Sequence, residues 1–214
     1  MDAQIRRRLL VALSLILAAS LLTSSDDLVV PARATGLSQV EDGDWPMLQA
    51  NPQRTGWSPR EVVPPYTHKW TWVPPNEDIL PSLSQPVIGG GMVFIGSYTG
   101  VLYAIDDATG EMAWAYQAGG GIMHAAAYDA GKVYFTSLDF GIHCLNAITG
   151  ERIWSYETGA SVVTSPLVVS GKVYAGSRDK SFYALDASSG DLLWSYETGG
   201  PIDQTAAYSQ GYVI

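Results

Sequence analysis

Residues 184–194 read Ala184-Leu185-Asp186-Ala187-Ser188-Ser189-Gly190-Asp191-Leu192-Leu193-Trp194, and the same pattern occurs twice upstream, at 104–114 and 144–154. Each copy begins forty residues after the one before it. The positions in register are Asp106, Asn146 and Asp186; Gly110, Gly150 and Gly190; and Trp114, Trp154 and Trp194. A fixed period of this length predicts a repeat architecture.

Each repeat has the pattern of four short strands separated by turn residues. The predicted strands are 84–89, 92–97, 101–106 and 112–117; 124–129, 132–137, 141–146 and 152–157; and 164–169, 172–177, 181–186 and 192–197. In the third strand of the first repeat, both alternating sets of side chains are apolar, so both faces of the sheet must be covered. Stacked four-stranded sheets at this period predict an all-β protein, a β-propeller with antiparallel blades. A linear β-solenoid fits less well because its repeats are shorter.

The repeated acid or amide, glycine and tryptophan are interpreted as structural docking residues. An Asp or Asn that opens a turn accepts backbone N–H bonds, and glycine adopts a positive φ without a Cβ clash. The tryptophan lies on the predicted outermost strand, where its ring can bury roughly 150–250 Å² against the next sheet. These nine residues are therefore predicted to build the scaffold rather than to bind a ligand.

The repeated segment resembles the tryptophan-docking motif of the pyrroloquinoline-quinone (PQQ) propeller superfamily, A-x-D/N-x-x-T-G-x-x-x-W. Cys144 replaces the alanine in the middle copy, and Ser189 replaces the threonine in the last. Two further segments, Asp44-Trp45-Pro46-Met47 and Arg54-Thr55-Gly56-Trp57-Ser58-Pro59, resemble the entry segment of such proteins. The resemblance covers residues 44–214.

This resemblance implies one of two activities. Some members are quinoprotein dehydrogenases that oxidise alcohols or sugars with PQQ and calcium, and many of these carry two adjacent, disulfide-bonded cysteines. Others are non-catalytic binding or scaffold propellers, including an outer-membrane assembly lipoprotein. This chain has one cysteine, Cys144, which is predicted to be a buried inert thiol, and no set of Glu, Asn and Asp matches the calcium ligands.

We therefore expect a non-catalytic binding or scaffold module that acts through its rim loops, without a cofactor. The alternative is the amino-terminal part of a PQQ-dependent dehydrogenase, with PQQ and calcium as its cofactors. The expected partner is a protein or another cell-envelope component. The chain has 12 Lys and Arg against 21 Asp and Glu, a net charge of −9, and no basic stripe, so nucleic acid is excluded as a partner.

The amino terminus has the pattern of an export signal. Arg6-Arg7-Arg8 precede an apolar run from Leu9 to Leu22, which is shorter than the roughly 20 residues that span a membrane. Residues 1–34 are predicted to be a signal peptide and short linker, and the protein to be periplasmic or extracellular. An uncleaved signal is the remaining alternative and the one predicted contact with a membrane. No cysteine follows the run as a lipid acceptor.

The remaining residues are divided into an entry segment, 35–83, and the propeller repeats, 84–214. The predicted blades are 84–123, 124–163, 164–203 and a truncated 204–214. Propellers close with about four to eight blades, so an incomplete propeller and an amino-terminal fragment are expected. Trp70-Thr71-Trp72 is predicted to be the closing outer strand of the last blade.

His124 is the one candidate for chemistry that the repeats suggest. It aligns with Ser84, Thr164 and Gln204 at the start of the predicted innermost strand, which places it near the channel mouth. The residue types there vary, and a lone polar residue lining the channel is the simpler interpretation. Variable loops join the second and third strands and connect successive blades, and alternate turns of a meander emerge on the same side, so these loops are expected to share one rim.

Overall fold

The computed structural model describes residues 44–56, 64–65 and 67–214. The predicted signal segment, 1–34, and Trp57-Ser58-Pro59 lie outside the described residues. The strands of the described part are β1 (Val87–Gly89), β2 (Met92–Gly96), β3 (Val101–Asp106), β4 (Met112–Gln117), β5 (Ala127–Asp129), β6 (Lys132–Thr136), β7 (Gly141–Asn146), β8 (Arg152–Glu157), β9 (Leu167–Val169), β10 (Lys172–Gly176), β11 (Ser181–Asp186), β12 (Leu192–Glu197), β13 (Tyr208–Ser209) and β14 (Tyr212–Val213).

The strands form consecutive antiparallel sheets, one for each repeat. The orders are β1-β2-β3-β4, β5-β6-β7-β8 and β9-β10-β11-β12, followed by the β13-β14 pair. The first strands of neighbouring sheets approach one another, which places β1, β5 and β9 innermost and β4, β8 and β12 outermost. The chain is thus an all-β, incomplete propeller with three complete blades and part of a fourth among the described residues.

The core lies between neighbouring blades. Phe94 and Leu102 of the first blade pack with Phe135 and Leu145 of the second, and all four are fully buried. Because the first two sheets are covered on both faces, successive side chains in the middle of their third strands are all buried, instead of alternating between buried and exposed. A 3-10 turn, Pro75–Glu77, precedes the blades. The described residues contain no helix that is long and apolar enough to cross a bilayer.

The innermost strands are shorter than predicted. They begin at Val87, Ala127 and Leu167 instead of 84, 124 and 164, and each second strand ends one residue earlier than predicted. Pro86 and Pro166 have no backbone N–H to donate to the neighbouring strand, so the innermost strand cannot extend through them. In the first and third blades, a side-chain hydroxyl accepts the hydrogen bond that a longer innermost strand would accept through its backbone. Gly96 N donates to Ser84 Oγ at 3.3 Å, and Gly176 N donates to Thr164 Oγ1 at 3.2 Å.

The repeated tryptophans lie against the turns of the following blades. The indole nitrogen of Trp114 donates to Ala147 O at 3.0 Å, and that of Trp154 donates to Ala187 O at 3.2 Å. A bulge precedes each of these tryptophans, so the outer strand carries one unpaired residue there. The repeated glycine lies beneath the ring: a Cβ at Gly150, where φ is +72°, would lie 2.7 Å from Cδ2 of Trp114.

Trp70 makes the same contacts on the first blade from the entry segment. Its indole nitrogen donates to Asp107 O at 2.8 Å, and a Cβ at Gly110 would lie 2.7 Å from its ring. Trp72 packs on Tyr103 with ring centroids 5.1 Å apart. Residues 67–73 thus occupy the position of an outer strand beside the first blade, although they belong to none of the named strands. Trp194, at the other end of the array, is 44% exposed.

Residues 44–56, which we call the channel strap, run across the inner ends of four blades. Trp45 pairs with Ile88 in β1 through two hydrogen bonds of 2.8 and 2.9 Å. Pro46 O accepts a hydrogen bond from Tyr128 N in β5, and Pro52 O accepts one from Tyr208 N in β13. The strap therefore connects, near the axis of the array, blades that are distant from one another in sequence.

Candidate functional site

The variable loops meet on one rim, which we call the loop rim. Ile122 N donates to Ser97 O at 2.9 Å, and Leu138 N donates to Gly121 O at the same distance. These bonds join the loop between the second and third strands of one blade to the connection that leads into the next. The exposed apolar residues of this rim are Tyr98, Leu138 and Phe140 from the loops, with Ile79 and Leu83 of the entry segment beside them.

A carboxylate braces the loop rim in each complete blade. Asp139 accepts hydrogen bonds from Gly119 N, Gly141 N and His143 Nε2 at 2.9, 2.9 and 3.1 Å. In the third blade, Asp179 accepts from Tyr183 Oη at 2.8 Å. Burial and this bond raise the pKa of Tyr183 to about 12. His143 is buried and stacks on Phe135, with ring centroids 4.8 Å apart.

The first blade lacks this carboxylate on its own loop, because Thr99 occupies the position of Asp139 and Asp179. Asp78 of the entry segment supplies it instead. Its Oδ2 accepts hydrogen bonds from Thr99 Oγ1 at 2.7 Å and from Tyr103 Oη at 2.9 Å. The loop rim is thus braced in the same way in all three complete blades.

Inside the loop rim lies a cavity of about 840 Å³, which we call the channel cup. The channel strap contributes Leu48, Gln49 and Arg54 to its lining, and the approaches to the innermost strands contribute the walls. The wall and mouth residues are Ser82, Leu83, Gln85, Met123, His124, Leu138, Val163, Arg178, Asp203, Gln204, Thr205 and Ala207.

Arg54 brings a positive charge into the channel cup. Its guanidinium donates to Leu48 O at 2.6 Å, to Ala206 O at 3.2 Å and to Pro166 O at 3.4 Å. These acceptors are neutral, and within the described ranges no carboxylate forms an ion pair with Arg54. Burial lowers the pKa of Arg54 to about 10, which leaves it charged at neutral pH.

His124 lies in the wall of the channel cup, and it precedes β5, whereas the sequence predicts it at the start of that strand. Partial burial lowers its pKa, although the charge of Asp203 opposes this effect. Asp203 itself is paired with Arg178, whose Nε lies 2.8 Å from Oδ1. The single carboxylate that the described residues contribute to the cup lining is therefore already neutralised.

The other singled-out residues lie away from the channel cup. Asp106, Asn146 and Asp186 each accept two backbone N–H bonds within the turn that leads to the outer strand, at the end of the blades opposite the loop rim. Cys144 is a buried free cysteine in β7, and burial raises the pKa of its thiol to about 12. Sequence reasoning did not single out Arg54, because its contact with Ala206 spans 152 residues.

The described residues offer little for a divalent metal. Among them, no group of three or more His, Cys, Asp and Glu side chains is close enough to hold an ion. Calcium takes about six to eight oxygen ligands, several of them carboxylates, whereas the described lining of the channel cup contributes one carboxylate, that of Asp203. These residues therefore do not fit a calcium-bound PQQ.

Comparison with solved structures supports the propeller. The chain resembles BamB from Moraxella catarrhalis with 25% identity and a TM-score of 0.59, covering 66% of this chain and 45% of that one. It also resembles quinohemoprotein alcohol dehydrogenase from Comamonas testosteroni with 22% identity and a TM-score of 0.61, covering 72% of this chain and 27% of that one. The chain thus spans less than half the length of either protein.

The family assignment rests on a sequence model. No curated protein sequence matches the chain. The model described as outer membrane protein assembly factor BamB, a family of PQQ-like repeats, matches residues 54–139 and 117–211, which together cover most of the chain. The chain therefore belongs to this PQQ-like repeat family.

Proposed function

We propose that the protein is an exported, non-catalytic propeller that binds an envelope protein through its loop rim. The observation that carries the proposal is the convergence of Ile79, Leu83, Tyr98, Leu138 and Phe140 on that rim, all exposed. Apolar side chains exposed in variable loops on a regular scaffold are typical of a protein-binding surface. The family description, an outer membrane protein assembly factor, supports both export and a protein partner in the envelope.

Site-specific photocrosslinking in the native host tests this proposal. A photoreactive residue placed at Tyr98 or Leu138 is expected to give one discrete envelope-protein adduct. The matched control is the same residue at Ser188, an exposed turn position at the opposite end of the blades. Equal adducts from both ends, or none from the loop rim, would reject the proposal.

Export is tested separately, by sequencing the amino terminus of the mature protein. Cleavage within or just after residues 1–34 is expected. A cytosolic protein that begins at Met1 contradicts this part of the proposal.

We propose no cofactor for this chain. The chain shares 22% sequence identity with the alcohol dehydrogenase, and a likeness at this level shows the fold alone. Dye reduction with added PQQ, calcium and a panel of alcohols tests the dehydrogenase alternative. No reduction above the protein-free rate is expected, because the described cup residues do not supply a calcium site; turnover would establish the alternative.

A further inference from the structure

The channel cup has a distinctive balance of charge. Among the residues that the structure describes, its lining contains two cations, Arg54 and Arg178, and one anion, Asp203. Asp203 and Arg178 neutralise each other at 2.8 Å, so Arg54 is the one uncompensated charge that the described residues bring to the cup lining. This positive site lies inside a chain whose net charge is −9.

Arg54 keeps hydrogen-bonding capacity after its protein contacts are made. A guanidinium has five N–H donors in a planar fork. Nε, Nη1 and Nη2 each make one bond to a backbone carbonyl, which leaves two donors. The three carbonyls fix the side chain without satisfying its charge, which is the arrangement that an incoming anion would complete.

Four neutral polar side chains of the cup lining are also unengaged. The side chains of Gln49, Gln85, Gln204 and His124 line the same cavity, and within the described residues none of them hydrogen bonds to another protein group. Each amide brings two N–H donors and the imidazole brings one. The described part of the cup lining therefore combines one fixed, unpaired cation with several neutral donors, and it contains no carboxylate that is not already paired.

We propose that the channel cup binds a carboxylate, with Arg54 as its charged anchor and Gln85, Gln204 and His124 as neutral donors. A planar guanidinium fork matches a carboxylate in geometry, and charge-assisted hydrogen bonds are stronger than neutral ones. The carboxylate comes from a small organic acid or from the carboxyl terminus of a polypeptide. This inference rests on the proposed binding role and identifies the chemistry of the ligand.

Calorimetric titration of the intact chain tests the proposal and separates the two sources. The probes are succinate against succinamide, and acetyl-Gly-Gly-Ala as the free acid against its amide. Binding of either acid without its amide supports the carboxylate site and shows which source it prefers. If neither acid binds at millimolar concentration, or if the amides bind equally well, the proposal is wrong.

Because Arg54 also holds three carbonyls, the decisive variant leaves it in place. Gln204→Glu adds a negative charge to the cup with almost no change in shape, and we expect affinity for the bound acid to fall about tenfold or more. Gln210→Glu is the matched control, since it makes the same change in the turn between β13 and β14, outside the cup. An equal loss in both variants would overturn the site. Failure of these titrations alongside retained loop-rim crosslinks would reject the carboxylate while leaving the scaffold role intact.

Discussion

Gly150 and Gly131 allow backbone strain at positive φ to be measured separately from a steric clash between a Cβ and a neighbouring ring. Both adopt positive φ, +72° and +78°, but a Cβ at Gly150 would meet the Trp114 ring at 2.7 Å, whereas one at Gly131 would meet nothing within 4 Å. We expect Gly131→Ala to cost about 1–2 kcal/mol of unfolding free energy, from backbone strain alone. Gly150→Ala should cost about 1–3 kcal/mol more, because the ring must move. Urea unfolding of both variants measures the difference, and equal costs would show that the ring does not constrain the turn.

Trp154 offers the corresponding test of the tryptophan side of this contact. It is 8% exposed and packs against Gly190, while its neighbour Ile153 in the bulge is 44% exposed. Trp154→Ala is expected to lower the free energy of unfolding by about 3–5 kcal/mol, whereas Ile153→Ala should cost about 1 kcal/mol or less. Denaturant unfolding gives both values. A Trp154→Ala variant as stable as the wild type would refute the docking role.

At the scale of elements, the loop-rim carboxylates couple stability to pH. The pKa of Asp139 lies well below its ordinary value: burial acts to raise it, but the hydrogen bond and charge of His143, with the Gly119 and Gly141 amides, outweigh that effect. A depressed folded-state pKa stabilises the native state above the unfolded value of about 4, and this contribution is lost as pH falls through the folded-state pKa.

Asp139→Asn is therefore expected to lower the melting temperature at pH 7 and to reduce the loss of stability between about pH 4 and pH 2. Glu157→Gln, an exposed change at the end of β8, is the control. Thermal unfolding across this pH range measures both. Parallel pH profiles for wild type and Asp139→Asn would contradict the coupling.

Asp78 of the entry segment supplies the rim carboxylate of the first blade. Its role can be tested by moving the carboxylate from position 78 to position 99. Asp78→Ala removes the acceptor for Thr99 and Tyr103 and should cost about 1 kcal/mol. Adding Thr99→Asp restores the residue that the other two blades carry and should recover most of that loss. If the double variant is no more stable than Asp78→Ala, the two carboxylates are not equivalent.

For the molecule as a whole, one end of the array is apolar and exposed. Phe182, Trp194, Tyr196, Ile202 and Ile214 line a surface cavity of about 640 Å³ beside β12. We expect residues 1–214 to self-associate as concentration rises, because exposed apolar surface of this kind favours association. Sedimentation velocity should show that Tyr196→Lys weakens association, whereas Ile148→Lys, exposed at a docking turn, does not. A concentration-independent monomer would contradict this.

The blades of this molecule are predictable from local sequence pattern, whereas its long-range contacts are not. The forty-residue spacing of Trp114, Trp154 and Trp194 is enough to predict four-stranded stacked sheets, because each repeat specifies its own strands and turns. The channel strap, the Asp78 brace and the Arg54 contacts join residues that are far apart in sequence, and no periodic signal marks them. The candidate site is built mainly from such contacts, so His124 alone was anticipated.

The channel strap also constrains the order in which the chain can assemble. Residues 44–56 are synthesised before every blade, yet Pro52 and Arg54 bond to Tyr208 and Ala206, which are made about 150 residues later. Closing so long a loop is slow, as contacts between distant parts of a chain generally are. Pro52 and Arg54 leave the ribosome before every blade, yet they are therefore among the last described residues to complete their native contacts.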